Sequence, residues 1–212
     1  MERAAAVRGV IFDLDGTLYV LPGMRLRLTW RLRRDLGLLR RFSAARRALR
    51  GRGFGGAAGL DEALGRELGR RAGVEPDRAA AWYRDRFLPE FVGLLADRAR
   101  ARPGLGELLA RLRERGVRLA VVSDHPLIDE RLAAIGLDPG LFDDLVAAEE
   151  HGVLKPSALP FSALARKWGV EPGAVIVVGD RLDLDAASAE AAGMGFLPAA
   201  AWSRLDGMVP GD

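Results

Sequence analysis

Three apolar runs in this 212-residue chain each end in a residue that a phosphoryl-transfer site can use. Val10-Ile11-Phe12 leads into Asp13-Leu14-Asp15-Gly16-Thr17-Leu18, Leu119-Ala120-Val121-Val122 into Ser123-Asp124, and Val175-Ile176-Val177-Val178 into Gly179-Asp180. Successive strand residues alternate faces, so Asp13 and Asp15 can project to the same side while Leu14 packs inward. Gly16 permits the close backbone turn that brings the second acid to the site. Two such carboxylates beside a bound cation suit a division of labour, one as an ionised nucleophile and one as an acid/base tuned by its neighbours. An anionic nucleophile approaching an anionic phosphate needs its repulsion screened. Mg²⁺, which favours a few carboxylates together with waters and phosphate oxygens, would supply this.

The elements that must position these residues follow from periodicity. Residues 9–13, 117–123, 144–148, 174–179 and 194–197 read as short buried strands, and 103–115, 126–135, 157–168 and 181–192 as the helices between them. Strand and helix in alternation imply a parallel, doubly wound α/β sheet. The carboxyl ends of its strands share one edge, where open α/β folds bind ligands. Residues about 170 positions apart would meet there. From about 20 to 100 no strand-like run occurs, and the segment reads as helices with arginine on their outer faces. Leu60, Leu64, Leu68 and Ala72 form one apolar stripe, and Tyr83, Phe87, Phe91 and Leu95 another that Pro89 should kink.

With Ser123, Lys155-Pro156 and Gly179-Asp180 downstream, the Asp13-Leu14-Asp15-Gly16-Thr17-Leu18 segment resembles the motif set of the haloacid dehalogenase-like superfamily, and most nearly its phosphoglycolate phosphatase-like group. A lone pair of acids would ordinarily mark a solvated turn; four motifs in order, three at the ends of buried-type strands, do not. The resemblance implies a Rossmann-like core at 1–19 and 101–212 with an α-helical cap inserted at 20–100. Only 31 residues separate Ser123 from Lys155, too few for the larger α/β cap of other members. It further implies that Asp13 attacks phosphorus to form an aspartyl-phosphate and that Asp15 serves as acid, then base. Ser123 and Lys155 would bind the transferring phosphoryl, with Gly16, Thr17 and Asp124 beside them. Mg²⁺ would be held by Asp13, the backbone carbonyl of Asp15, and Asp180. A further acid supports the metal; Asp185 fits the family's spacing after Asp180, and Asp183 fits less well.

The implied activity is hydrolysis of a small phosphorylated metabolite. Asp15 argues against a dehalogenase, and a cap without lysine against a Schiff-base phosphonatase. A phosphomutase of the β-phosphoglucomutase type keeps the same motifs. A nucleic-acid-binding or regulatory module on a retained core is the alternative of another class. It draws on the charge split: residues 20–102 hold 20 Arg and 9 acids, a balance of +11, against −8 for the remainder. The intact acid set weighs against it.

Simpler readings stand beside these. Ser123-Asp124 could begin a helix, and Lys155 could be a loop cation. His125 could face substrate or satisfy local backbone groups, and His151 reads as a loop residue. Gly51–Gly59 lacks the Lys-Ser or Lys-Thr of a phosphate-cradling loop and reads as a flexible connection. Trp30 and Trp82 read as core. The chain has no cysteine, and of its 32 basic residues only Lys155 and Lys167 are lysine, so a role demanding an ammonium has two candidates. No apolar run approaches the ~18 residues of a membrane span, and a strand starting within ten residues of Met1 leaves no room for a signal peptide. A soluble cytoplasmic protein is expected.

Overall fold

A computed structural model describes residues 6–209. The strands are β1 Gly9–Phe12, β2 Arg118–Ser123, β3 Asp144–Ala147, β4 Val175–Gly179 and β5 Gly195–Pro198, each within a residue of its expected bounds. They form one all-parallel sheet in the order β3-β2-β1-β4-β5. The helices, in chain order, are α1 Met24–Arg31, α2 Leu36–Leu49, α3 Ala57–Ala72, α4 Pro76–Trp82, α5 Leu88–Arg98, α6 Leu105–Glu114, α7 Ile128–Ala134, α8 Leu159–Trp168 and α9 Ala187–Ala191.

β1 is central and buried throughout, pairing with β2 on one side and β4 on the other. Coverage of both faces is why the strands read as continuous apolar runs rather than alternating ones. Val10 and Phe12 pack with leucines of α6 and α7, whereas Ile11 joins Phe161 and Leu164 of α8 and Ala189 of α9 on the opposite face. After β3 the chain crosses back over β2 and β1 to begin β4. That reversal opens a crevice at the carboxyl ends of β1 and β4.

The chain leaves the sheet at Tyr19 and returns at Ala101, and these two residues pair as an antiparallel bridge. Arg102 locks the junction, its guanidinium donating to the carbonyls of Thr17 at 2.7 Å and Gly16 at 3.0 Å. Both stripes between these points are largely buried: Leu60, Leu64 and Leu68 on α3, and Tyr83, Phe87, Phe91 and Leu95 on the run entering α5. A π-helical turn at Tyr83–Phe87 widens that run just ahead of Pro89. The proline then falls in the first turn of α5, where its missing N–H costs nothing, so the helix restarts there.

Three expectations need correction. Trp30 is 69 % exposed, because Met24 and Leu28 take the inner face of α1 and leave Trp30 outside, beneath the Arg33 guanidinium. Arginine is not confined to outer faces: Arg46 of α2 is buried. The glycine-rich connection is docked against the core, the Phe54 amide donating to the Gly152 carbonyl at 3.0 Å. Trp82 is buried against Phe42 as expected. Among the described residues no helix is long and apolar enough to cross a membrane.

The dock at Gly152 is tight. This residue has φ 66°, and a Cβ there would lie 2.6–2.7 Å from the O and Cα of Gly56. Gly152→Ala should therefore cost about 1–3 kcal/mol through overpacking and backbone strain. Denaturant unfolding reads the loss, and hydrogen exchange at the Phe54 amide should show the connection lifting away. An unchanged midpoint would contradict the docked geometry.

Candidate active site

Asp13 lies just past the end of β1, buried, with both carboxylate oxygens held. Thr17 Oγ1 donates to Oδ2 at 2.8 Å, and the Lys155 ammonium donates to Oδ1 at 2.6 Å. The same ammonium donates to Asp185 Oδ1 at 2.7 Å and to the Val122 carbonyl of β2 at 3.2 Å. Burial disfavours the charge on Lys155, but Asp13 and Asp185 more than offset this and hold it protonated. Burial pushes the Asp13 carboxyl up to about 7 against the pull of Lys155, and the charges of Asp185 and Asp15 add to the rise.

Oxygens of Asp13, Asp180 and Asp185 lie within 4.8 Å of one another. Gly16, at φ 87°, makes room for this grouping, since a Cβ there would meet the Asp180 carboxyl carbon at 2.8 Å. Burial raises the Asp180 carboxyl, with Asp185 adding repulsion. Three clustered carboxylates face one ammonium, and an all-oxygen, negatively charged group of this kind fits a hard divalent cation. Asp185 sits inside the cluster with its other oxygen accepting from the Arg181 amide at 3.1 Å. Asp183 is solvent-exposed and pairs with the Arg181 side chain instead.

Asp15 turns its side chain away from that cluster. Tyr19 Oη donates to one oxygen at 2.6 Å, and the guanidinium of Arg131 pairs with the other. Arg131 comes from α7, is completely buried, and also donates to Ser123 Oγ at 3.0 Å; its guanidinium lies 5.0 Å from the centroid of the Phe91 ring. It thus links the second acid, the hydroxyl at the end of β2 and the helical segment. Asp124 accepts the Lys155 backbone amide at 2.8 Å, which fixes the loop that delivers the ammonium.

A further set of buried groups joins the helical segment to the sheet edge. Arg46 of α2 pairs with Glu149, and Tyr83 Oη lies 2.8 Å from both Glu149 Oε1 and His125 Nδ1. His125 is packed among Phe42, Phe87 and Phe91. Burial, reinforced by Arg46, Arg131 and Lys155, holds its imidazole well below the ordinary range and hence neutral. A cavity of about 570 Å³ lies beside it, bounded below by Asp15, Asp124 and His125 and above by α1 and α2.

The structure therefore brings together Asp13, Asp15, Thr17, Ser123, Asp124, Lys155, Asp180 and Asp185, and leaves Asp183 outside. Of the two lysines, Lys167 is exposed and pairs with Asp144 far from this edge. His151 lies in a short 3₁₀ turn. Sequence reasoning missed Arg131, Tyr19, Arg46, Tyr83 and Glu149. Only Tyr19 carried a signal, lying four residues past Asp15.

A family model described as haloacid dehalogenase-like hydrolase matches residues 7–193. The phosphoglycolate phosphatase of Rhodospirillum rubrum is 36 % identical over 192 residues, covering 88 % of this chain and 77 % of its own length. Among solved structures, a predicted phosphoglycolate phosphatase of Haemophilus somnus superposes with TM-score 0.61 at 26 % identity, covering 90 % of this chain and 84 % of its own. A 2-haloacid dehalogenase of Pseudomonas syringae pv. Tomato superposes with TM-score 0.62 at 25 % identity, covering 90 % and 85 %.

The raised Asp13 carboxyl sets a pH dependence in the metal-free protein. Between its unfolded value of 3.8 and its folded value of about 7, the unfolded chain has released this proton while the folded chain retains it. Folding stability should therefore fall as pH rises across that window and level off above it. Asp180, also raised, contributes the same sign. Urea unfolding in chelator at pH 4.5 and 7.5 should show the fall, and Asp13→Asn should reduce it; equal slopes in the two proteins would refute the assignment.

Proposed function

The chain belongs to the haloacid dehalogenase-like hydrolases, and from that premise we propose that it is a Mg²⁺-dependent phosphatase hydrolysing a small phosphomonoester through an aspartyl-phosphate on Asp13. The observation that carries this reading is the placement of Asp13: buried at the crevice, with both oxygens oriented, between the Lys155 ammonium and the Asp180–Asp185 carboxylates. Asp13, Asp180 and Asp185, with the backbone carbonyl of Asp15, would hold Mg²⁺. When bound, the ion would offset negative charge on the nucleophile and the phosphoryl oxygens.

In the first half-reaction a carboxylate oxygen of Asp13 attacks phosphorus, the ester P–O bond breaks, and the departing alkoxide takes a proton from Asp15. In the second, Asp15 removes a proton from water, whose oxygen attacks phosphorus and releases inorganic phosphate and the Asp13 carboxylate. The proton gained in one cycle serves the next leaving group. Tyr19 and Arg131 orient Asp15 for both transfers. Lys155 and the Ser123 hydroxyl stabilise charge developing on the phosphoryl oxygens. Helices α1–α5 act as a cap that excludes water and contacts the alcohol half of the ester. Release of inorganic phosphate rather than an isomerised ester separates this chemistry from that of a mutase. The phosphoglycolate phosphatases similar to this chain make phosphoglycolate a natural member of any first substrate panel.

Asp13→Asn keeps shape but removes the nucleophile, and kcat for an aryl phosphate should drop by about 10³-fold or more. Excess EDTA should abolish activity and Mg²⁺ restore it, with Ca²⁺ a poor substitute. Near-normal hydrolysis by Asp13→Asn would exclude the covalent route, and activity undiminished in EDTA would exclude the metal.

Arg131→Lys cannot reproduce the fork that spans Asp15 and Ser123, so kcat should fall by about 10²-fold with the fold retained. Wild-type kcat in that variant would remove Arg131 from the reaction.

The basic helical segment should also aid capture. Between about 20 and 500 mM monovalent salt the Debye length shrinks from roughly 20 to roughly 4 Å, so kcat/KM should fall several-fold while kcat changes little. A flat profile would make the arginines plain solvated surface.

A further inference from the structure

The cavity beside the catalytic acids has a composition that speaks to the alcohol half of the ester. Its floor is Asp15, Asp124 and His125, whereas Asp13, Ser123 and Lys155 do not line it, so its 570 Å³ lies beyond the position of the reacting phosphorus. Pockets of about 300–1,000 Å³ accommodate drug-sized ligands, and a two-carbon leaving group would leave most of this one to water. Part of the wall is apolar: Leu28, Leu39, Phe42, Phe87 and Phe91 converge from α1, α2 and the run entering α5.

The other part is cationic. Arg40, Arg47 and Arg50 follow one another along a single face of α2 and its end, at spacings of seven and three residues. Arg46 and Arg181, which also border the cavity, are paired with Glu149 and Asp183. Arg25, which also borders the cavity, has no carboxylate partner among the described residues, whereas elsewhere in the helical segment Arg31, Arg66, Arg71 and Arg84 are paired with acids. Among the described residues, no carboxylate pairs with Arg40, Arg47 or Arg50. Burial holds the Arg50 guanidinium below its ordinary value, Arg181 and Arg46 adding to the fall against the opposing charges of Asp124 and Asp183.

We propose that the substrate is an amphipathic phosphomonoester, whose alcohol carries an apolar body seated on the Leu28–Phe42–Phe91 wall and a second anion paired with Arg40 and Arg47. The inference rests on the phosphatase reading of the site. It goes further in requiring a leaving group larger than that of phosphoglycolate and charged at its far end.

Two matched esters test it: 4-(carboxymethyl)phenyl phosphate and its neutral isostere 4-(carbamoylmethyl)phenyl phosphate, with phosphoglycolate as the short acid, all in Mg²⁺ at low salt. The acid should exceed the amide in kcat/KM by about 10-fold, the worth of one charge-assisted hydrogen bond. It should also exceed phosphoglycolate. The double variant Arg40→Gln/Arg47→Gln should collapse the acid-to-amide ratio to about 2-fold or less, a drop of roughly one such bond. An acid-to-amide ratio near one in the unmodified protein overturns the second anion, and faster turnover of phosphoglycolate than of the aryl acid overturns the apolar body. Calorimetric binding of the two aryl esters to Asp13→Asn reads the same preference without turnover. Preferential binding of the acid in a protein that hydrolyses none of the three would uphold the cavity assignment while refuting the phosphatase reading; equal binding would overturn the assignment itself.

Discussion

One ammonium organises the sheet edge at the candidate active site. Lys155 is 3 % exposed and touches Asp13 after β1, the Val122 carbonyl on β2 and Asp185 after β4, so the three central strands are tied together by a single charge. Burying that charge is costly, and its partners offset the cost only while the geometry holds. The dependence runs both ways: without Lys155, Asp13 and Asp185 would be two buried like charges that have lost the cation paired with both. In the proposed mechanism a divalent ion would offset their repulsion together with that of Asp180. The features proposed for catalysis and those that hold the sheet edge together are thus the same contacts.

Asp15 is held by a different logic. Its partners, Tyr19 and Arg131, come from the exit of the chain into the helical segment and from α7. Phe91 of α5 lies against the Arg131 guanidinium, and Tyr83 and Arg46 reach Glu149, His125 and the Asp124 carbonyl. The position of the second acid is therefore coupled to how α1–α5 sit on the sheet edge, whereas the side-chain partners of Asp13, Thr17 and Lys155, lie outside α1–α5. In the proposed mechanism this assigns proton transfer to the junction with the helices and nucleophilic attack to the sheet.

Much of this was legible in the sequence because it rests on local pattern. The apolar runs ending at Asp13, Ser123 and Gly179-Asp180 mark β1, β2 and β4 and their shared edge, and the shortage of lysine left Lys155 and Lys167 as the two candidates for an ammonium. The spacing of Asp185 after Asp180 favoured it over Asp183, and the structure places Asp185 in the cluster. What escaped was long-range. Arg131 is one of 30 arginines, and nothing local distinguishes the one whose side chain passes beneath Asp15 from those on solvated faces. Arg46 escaped for the same reason, since its partner Glu149 lies 103 residues away. Trp30 was misread because an apolar residue at helical spacing does not reveal which face of α1 is inward. The glycine-rich connection looked flexible, because the close approach of Gly56 to Gly152 involves backbone on both sides.

In the proposed mechanism Asp13 carries the phosphoryl group. Mixing the protein with excess aryl phosphate and Mg²⁺, quenching within milliseconds and reducing with borohydride would convert an acyl phosphate at this position to homoserine, which peptide mass spectrometry locates. Homoserine is expected at residue 13 and none in the Asp13→Asn protein. Robust turnover with aspartate intact at residue 13, or with the label on another side chain, would contradict it.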